Sequence, residues 1–127
     1  MPAKLRLNPQ AKLAMAELQE PGQPDLFKHL VNVFVETSDE YIKSLLGFAK
    51  NRQILAMKDV AHSWKSSCAA IGAEILTDLC LQVETLGFPF NEREFGLLIG
   101  KLELEYKTTR VELLKSIGAE IKSEDAA

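Results

Sequence analysis

The stretch Val60-Ala61-His62-Ser63-Trp64-Lys65-Ser66-Ser67-Cys68-Ala69-Ala70-Ile71-Gly72 carries the helical pattern from which the fold is predicted. Successive residues of an α-helix turn by about 100°, so apolar side chains three, four and seven positions apart share one face. That face here consists of Met57, Val60, Ala61, Trp64, Cys68 and Ile71. His62 lies about 140° from the centre of this face. The pattern therefore predicts a helix that buries Trp64 and exposes His62.

Similar helical spacing recurs along the whole chain, between residues that commonly start or stop helices. The predicted helices cover about 9–19, 25–36, 37–50, 51–71, 73–86 and 91–122. Asn8, Asn51 and Asn91 are the predicted caps of the first, fourth and last of these helices. The capping box Thr37-Ser38-Asp39-Glu40 is expected to end the second helix and begin the third.

Strand signals are weak, because no stretch alternates apolar and polar residues and no Asn-Gly or Asp-Gly turn occurs. Short connections between long amphipathic helices are typical of an antiparallel up-and-down bundle. We therefore predict an all-α fold, a four-helix bundle with an additional N-terminal helix. A single domain is expected over residues 1–127, with its core at about 8–121 and a frayed tail at 123–127.

Composition narrows the functional classes. The chain has 127 residues, 46% of them hydrophobic, and a formal net charge of −3, which gives no general reason to expect nucleic acid or an anionic membrane as partner. Cys68 and Cys80 form no CxxC pair, so we interpret both as buried hydrophobes and predict no metal site. No apolar run reaches the ~20 residues of a membrane-spanning helix, and residues 1–7 do not resemble a signal peptide. A cytoplasmic location is the expectation.

The neighbours of His62 are unusual for a solvated helix face. Ser66 and Ala69, one and two turns further on, are small, whereas such a face more often carries long polar side chains. Lys65 and Lys58 lie one turn away on either side. Residues 43–65 contain five basic residues and one acid, so the negative chain has a positive segment around His62. This arrangement predicts a platform that another protein can approach closely.

A neutral imidazole offers one ring nitrogen as a nucleophile at pH 7. A phosphoryl group on an exposed His62 would need charge compensation, which Lys65 can supply. The simpler interpretation of an exposed histidine is a solvated surface residue without a chemical role. We adopt it for His29, which has no cation or platform of small residues beside it. Leu55, two turns before His62, is either a partial core residue or an apolar contact for a partner.

The segment around His62 resembles the signature of histidine-containing phosphotransfer (HPt) domains. In that signature an Ala-His pair is followed by an apolar residue, Lys, Gly and small residues, with a closing Gly. Here it is Ala61-His62-Ser63-Trp64-Lys65 and the small residues up to Gly72. The segments 33–41 and 79–84 are similar to the helices that precede and follow it in the family, and the resemblance covers roughly 13–114.

The resemblance implies that His62 is phosphorylated and that Lys65 is the electrostatic partner of the phosphate. It places Ser67 where the family has a small residue near the ring, and Glu84 where several members have a Gln that hydrogen-bonds the imidazole. Glu84 could equally be a solvated charge. Ser66 stands where the family usually has Gly, so its hydroxymethyl group narrows the approach to the ring slightly. Trp64 stands where the family has a smaller aliphatic residue.

The predicted function is that of a phosphorelay intermediate in two-component signal transduction. His62 would accept a phosphoryl group from the aspartate of a receiver domain and pass it to another receiver. The expected partners are receiver domains of response regulators or hybrid histidine kinases, which would contact Leu55, Lys58 and Ala69.

No P-loop or Gly-rich nucleotide loop is present in the sequence, so we expect a carrier rather than a kinase, without a cofactor of its own. A monomer is expected because a domain of this shape most often works alone. A divalent cation is expected on the partner receiver. The alternative is a helical-bundle adaptor that docks on receivers without phosphorylation, although an adaptor would not need His62 and Lys65.

Overall fold

The computed structural model describes residues 3–119. Within this range the chain forms five helices and no strands, namely α1 (Gln10–Leu18), α2 (Leu26–Lys50), α3 (Ile54–Ala70), α4 (Glu74–Glu84) and α5 (Glu92–Ser116). Helices α2 to α5 form an antiparallel up-and-down bundle in which each packs against two others, and α1 lies against α2. The predicted all-α bundle with an additional N-terminal helix is confirmed.

The predicted break at Thr37 is wrong, because α2 is continuous over 25 residues. The side chains that resemble a capping box make other contacts. The Thr37 hydroxyl donates to the Val33 carbonyl at 2.7 Å, one turn earlier in the same helix. Ser38 is buried and its hydroxyl accepts from Trp64 of α3, while Asp39 accepts from α5. Ser38 and Asp39 thus join neighbouring helices laterally instead of starting a new one.

The boundary between α2 and α3 also differs from the prediction. Asn51 ends α2, with its N–H bonded to the Gly47 carbonyl, and does not cap α3. Arg52 follows with φ 55, in the left-handed region, and α3 begins only at Ile54. The guanidinium of Arg52 donates to Glu92 at 2.7 Å and lies over the Phe95 ring. This contact with the start of α5 holds the turn in place.

The C-terminal end of α5 lies earlier than predicted. The helix ends at Ser116, and Gly118 adopts φ 70, a conformation that suits glycine and stops the helix. The Ala119 N–H then donates to the Leu114 carbonyl. The predicted end at residue 122, the last part of the predicted core and the predicted frayed tail at 123–127 lie outside the described residues.

The core of the bundle is built around Trp64, which is fully buried as predicted. Its ring is stacked with Tyr41 at a centroid distance of 6.3 Å and meets Tyr106 edge-on at 5.3 Å. Its indole N–H donates to the Ser38 hydroxyl at 2.8 Å. Cys68 and Cys80 are free and buried, also as predicted, and burial raises the pKa of the Cys68 thiol. Three helices therefore meet at one indole ring.

An N-terminal segment, residues 4–8, packs on the turn between α3 and α4. The Asn8 N–H donates to the Gly72 carbonyl at 2.7 Å, and the Ile75 N–H donates to the Leu5 carbonyl at 3.1 Å. Gly72 has φ 84, and a Cβ there would lie 2.7 Å from the Asn8 carbonyl oxygen. Glycine is thus required both by the backbone conformation and by the close approach of this segment.

Ser38→Ala tests the buried hydrogen bond. The variant leaves the Trp64 N–H without its acceptor, so we expect the free energy of unfolding to fall by about 1–3 kcal/mol in urea denaturation. Ser44→Ala on the exposed side of the same helix is the control and should change stability little. Equal stability of the two variants would contradict the importance of this bond.

Gly72→Ala tests the close approach of the N-terminal segment. We expect a loss of more than about 1 kcal/mol in unfolding free energy, because alanine is strained at positive φ and its Cβ meets Asn8. Gly100→Ala is the matched control: nothing lies within 4 Å of a Cβ there, and the helical position favours alanine by about 0.5–1 kcal/mol. An increase in the free energy of unfolding in Gly72→Ala would contradict the close contact between Gly72 and Asn8.

Candidate functional site

His62 lies in the middle of α3, and 69% of its side chain is exposed. The core side of the same helix is occupied by Trp64, two residues further on and fully buried. Rotation by about 200° over two residues places the imidazole on the outer side of the helix. The predicted exposure of His62 is confirmed, and a ring in this position is accessible to another protein.

Glu84, in the last turn of α4, joins the ring to the neighbouring lysine. Its Oε1 is bonded to Nδ1 of His62, and its Oε2 accepts from Nζ of Lys65 at 2.5 Å. The Glu84 and Lys65 side chains are 21% and 28% exposed. The sequence left the contact between Glu84 and His62 open, and the structure brings all three predicted side chains together.

The electrostatics of Glu84 follow from these contacts. Its hydrogen bond from Lys65 is the largest cause that holds the pKa of the carboxyl below its ordinary value, and the hydrogen bond from His62 is the next. Glu84 is therefore ionised at neutral pH. An ionised carboxylate can only accept hydrogen bonds, so we assign the proton of the neutral imidazole to Nδ1. Nε2 then carries the free lone pair of the ring.

The remaining predicted residues surround this group. Ser66 and Ala69 are exposed and Ser67 is half-buried. All three side chains are small, so they do not obstruct the approach of another protein to the ring. The Ser66 hydroxyl forms no side-chain hydrogen bond within residues 3–119. Lys58 is half-buried, and Leu55 at the start of α3 is 80% exposed. Leu55 is therefore not a partial core residue, and its side chain is accessible to a partner.

A groove beside the site was not predicted from the sequence. It has a cavity volume of about 830 Å³ and lies between the N-terminal segment, α3 and α4. Lys65 and Ala69 line its near end, and Lys4, Asn8 and Thr77 are among the residues further along it. Its walls come from residues more than 50 positions apart, so no local pattern could have indicated it.

Comparison with known proteins identifies the family. The family model of the Hpt domain matches residues 29–121, most of the chain. The chain belongs to the Hpt domain family. The N-terminal segment and α1 lie before the matched region, so the groove combines the Hpt domain with residues outside the match.

Curated relatives of this Hpt domain are phosphorelay proteins of vibrios. Phosphorelay protein LuxU of Vibrio vulnificus is 28% identical over 71 residues, 56% of this chain and 62% of that protein. LuxU of Vibrio harveyi is 31% identical over 55 residues, 43% of this chain and 48% of the relative. The alignments thus span less than two thirds of the length of these relatives, and about half in the case of Vibrio harveyi.

The fold of this Hpt domain is also similar to a solved structure. The crystal structure of histidine-containing phosphotransfer protein B (HptB) from Pseudomonas aeruginosa PAO1 superposes with a TM-score of 0.76. The match covers 90% of this chain and 96% of HptB at 23% identity, which establishes the similarity of fold. Over residues 3–119, none of the helices combines the length and the apolar character needed to span a bilayer.

The contacts of Glu84 predict the pH response of its carboxyl group. We expect an NMR titration to give a pKa below that of a model glutamate, and Lys65→Met to raise it more than His62→Gln does. Because folding lowers this pKa, ionised Glu84 stabilises the folded state, and this contribution is lost as pH falls through the folded-state pKa. A larger effect of His62→Gln than of Lys65→Met would reverse the inferred order of the two hydrogen bonds.

Proposed function

We propose that this Hpt domain is a phosphorelay intermediate that accepts a phosphoryl group on Nε2 of His62 from the aspartate of one receiver domain and passes it to that of another. The observation that carries the proposal is the exposed imidazole whose Nδ1 is held by Glu84, with Lys65 beside it. The family match and the vibrio relatives named phosphorelay proteins support this function.

The transfer step uses the free lone pair of the ring. Nε2 attacks the phosphorus atom of the aspartyl phosphate, the P–N bond forms, and the P–O bond to the aspartate breaks. The electron pair of that bond remains on the aspartate as its carboxylate. Lys65, one turn from His62, offsets the charge of the transferred group. The receiver supplies the divalent cation and its acidic ligands.

The same geometry accounts for how a receiver reaches the ring. The exposed Leu55 gives an apolar contact on one side of His62, and the small Ala69 allows close approach on the other. Lys58 adds positive charge that attracts the acidic site of a receiver. In this proposal the chain is a carrier, and a separate kinase uses ATP. Its cytoplasmic location and monomeric state remain predictions from the sequence.

His62→Gln provides the direct test. After incubation of the unaltered protein with a phosphorylated receiver domain, we expect mass spectrometry to detect one added phosphoryl group that is labile in acid. His62→Gln should abolish this adduct, because the amide has no nucleophilic ring nitrogen. The two proteins should bind the receiver with similar affinity.

His29→Gln is the matched control, since His29 is an exposed histidine on α2. It should be phosphorylated as fully as the unaltered protein. An adduct that persists in His62→Gln would overturn the proposal. Receiver binding without any adduct in the unaltered protein would instead favour the adaptor.

A further inference from the structure

The outer side of α5 carries apolar and small residues where a solvated helix usually has charged ones. Leu97, Leu104 and Val111 are spaced seven apart, and Gly100 and Thr108 lie between them on the same side of the helix. Leu97 and Leu104 are 54% and 66% exposed, and the core side of α5 is formed by other residues. Apolar side chains at a seven-residue spacing are typical of helices that pair with another helix. These five residues are called the α5 stripe below.

Gly100 is a further sign that the α5 stripe is a contact surface. Glycine in the interior of a helix lowers its stability, so its presence there needs a reason. Within residues 3–119 no atom lies within 4 Å of the position that a Cβ of Gly100 would take, so packing inside the chain does not require glycine. The missing side chain would instead let a second helix approach α5 closely, since the distance between packed helices depends on the side chains at the contact.

We propose that two copies of this chain pair through the α5 stripe, as an antiparallel dimer whose two-fold axis passes beside Leu104. In a two-fold dimer the same surface serves both partners. Leu104 then meets Leu104 of the second copy. Leu97 lies opposite Val111 of the second copy, and Gly100 lies opposite Thr108. The inference goes beyond the proposed phosphorelay function and does not depend on it.

The charges beside the α5 stripe are complementary in this arrangement. Glu103 and Lys107 lie on the same flank of the stripe, one before and one after Leu104 in sequence, and their side chains are 42% and 57% exposed. A two-fold axis at Leu104 therefore brings Glu103 of each copy close to Lys107 of the other. Such pairs at the rim of an interface determine orientation more than affinity.

A parallel pair fits the charges less well. It would bring the flank with Glu103 and Lys107 against the opposite flank, whose acids at this level are Glu105 and Glu112. Both of these acids are already bonded to Arg6 of the N-terminal segment, and the Glu105 side chain is only 11% exposed. The antiparallel arrangement is the one in which the paired charges are exposed on both copies.

The ends of the α5 stripe limit the length of the contact. Arg93 and Lys115, both exposed, lie on the same side of α5 about 16 Å before and after Leu104, and an antiparallel pair brings these like charges toward each other. Packed helices cross at an angle and diverge away from the crossing point, so the close contact is confined to the turns around Leu104. We therefore expect a weak dimer, with a dissociation constant on the order of 10–100 μM.

The α5 stripe lies away from the candidate site. Helices α3 and α5 occupy opposite corners of the bundle, because each packs against α2 and α4. A dimer through α5 thus leaves His62 of both copies exposed and free to meet a receiver. It replaces the monomer that is expected from the sequence.

Leu104→Lys tests the dimer directly, because it places two like charges at the two-fold axis. In sedimentation velocity of the full chain, over concentrations that span the expected dissociation constant, we expect this variant to raise that constant about tenfold or more. Leu13→Lys is the matched control, since Leu13 is also 54% exposed but lies on α1. It should pair as the unaltered protein does. Circular dichroism verifies that both variants are folded.

Glu103→Lys and Lys107→Glu test the antiparallel arrangement. Each variant alone brings like charges together at both rims, so each should dimerise more weakly than the unaltered protein. In an equimolar mixture the two altered positions face each other with opposite charges, and so do the two unaltered ones. We expect mixed dimers at least about threefold tighter than those of either variant alone. Native mass spectrometry, with one variant labelled with nitrogen-15, distinguishes the mixed dimers.

Sedimentation of the unaltered protein as a monomer at all of these concentrations would overturn the inference, and so would a dimer that Leu104→Lys leaves unchanged. Dimers without any recovery in the mixture would exclude the antiparallel arrangement and thereby the proposal. If the protein is monomeric and Leu104→Lys weakens binding of a receiver domain, the α5 stripe belongs to the receiver instead. None of these results depends on phosphoryl transfer to His62, so the proposed function is tested separately.

Discussion

Burial of the Trp64 indole is the constraint on which the rest of the structure depends. The ring meets aromatic side chains of α2 and α5 and donates to a serine hydroxyl of α2, so it fixes the rotation of α3 about its own axis. Because residues two apart on a helix point in nearly opposite directions, the same rotation places His62 in solvent. The exposure of the candidate nucleophile is therefore a consequence of core packing and needs no separate feature of the surface.

The turn at Gly72 provides the second constraint, the register between α3 and α4. Two antiparallel helices joined by a short turn align residues at equal distances from it, so Glu84 comes to lie beside His62 and Lys65, 22 and 19 positions earlier. The N-terminal segment packs on the same turn and holds it from outside. The site thus depends on a glycine about ten residues away, at the far end of both helices.

Periodicity was sufficient to predict the helices, the bundle and the two sides of α3, since burial imposes a local repeat on the sequence. The polar run Thr37–Glu40 was misleading, because its composition is that of a helix cap. In the structure Ser38 bonds to α3 and Asp39 to α5 instead. Asn51 ends a helix where a start was predicted, because the positive φ of Arg52 delays α3. The groove and the hydrogen bonds of residues 4–8 both involve residues that are far apart in sequence. Neither could be predicted, because no local stretch of sequence indicates such a contact.

One carboxylate determines the orientation of the other two side chains of the site. Glu84 accepts from Nδ1 of His62 with one oxygen and from Nζ of Lys65 with the other. Because an ionised carboxylate can only accept hydrogen bonds, the neutral ring carries its proton on Nδ1, and Nε2 keeps the free lone pair. The nitrogen of His62 that is free to react is therefore selected by a residue of the neighbouring helix, so the chemistry of the ring depends on the register between α3 and α4.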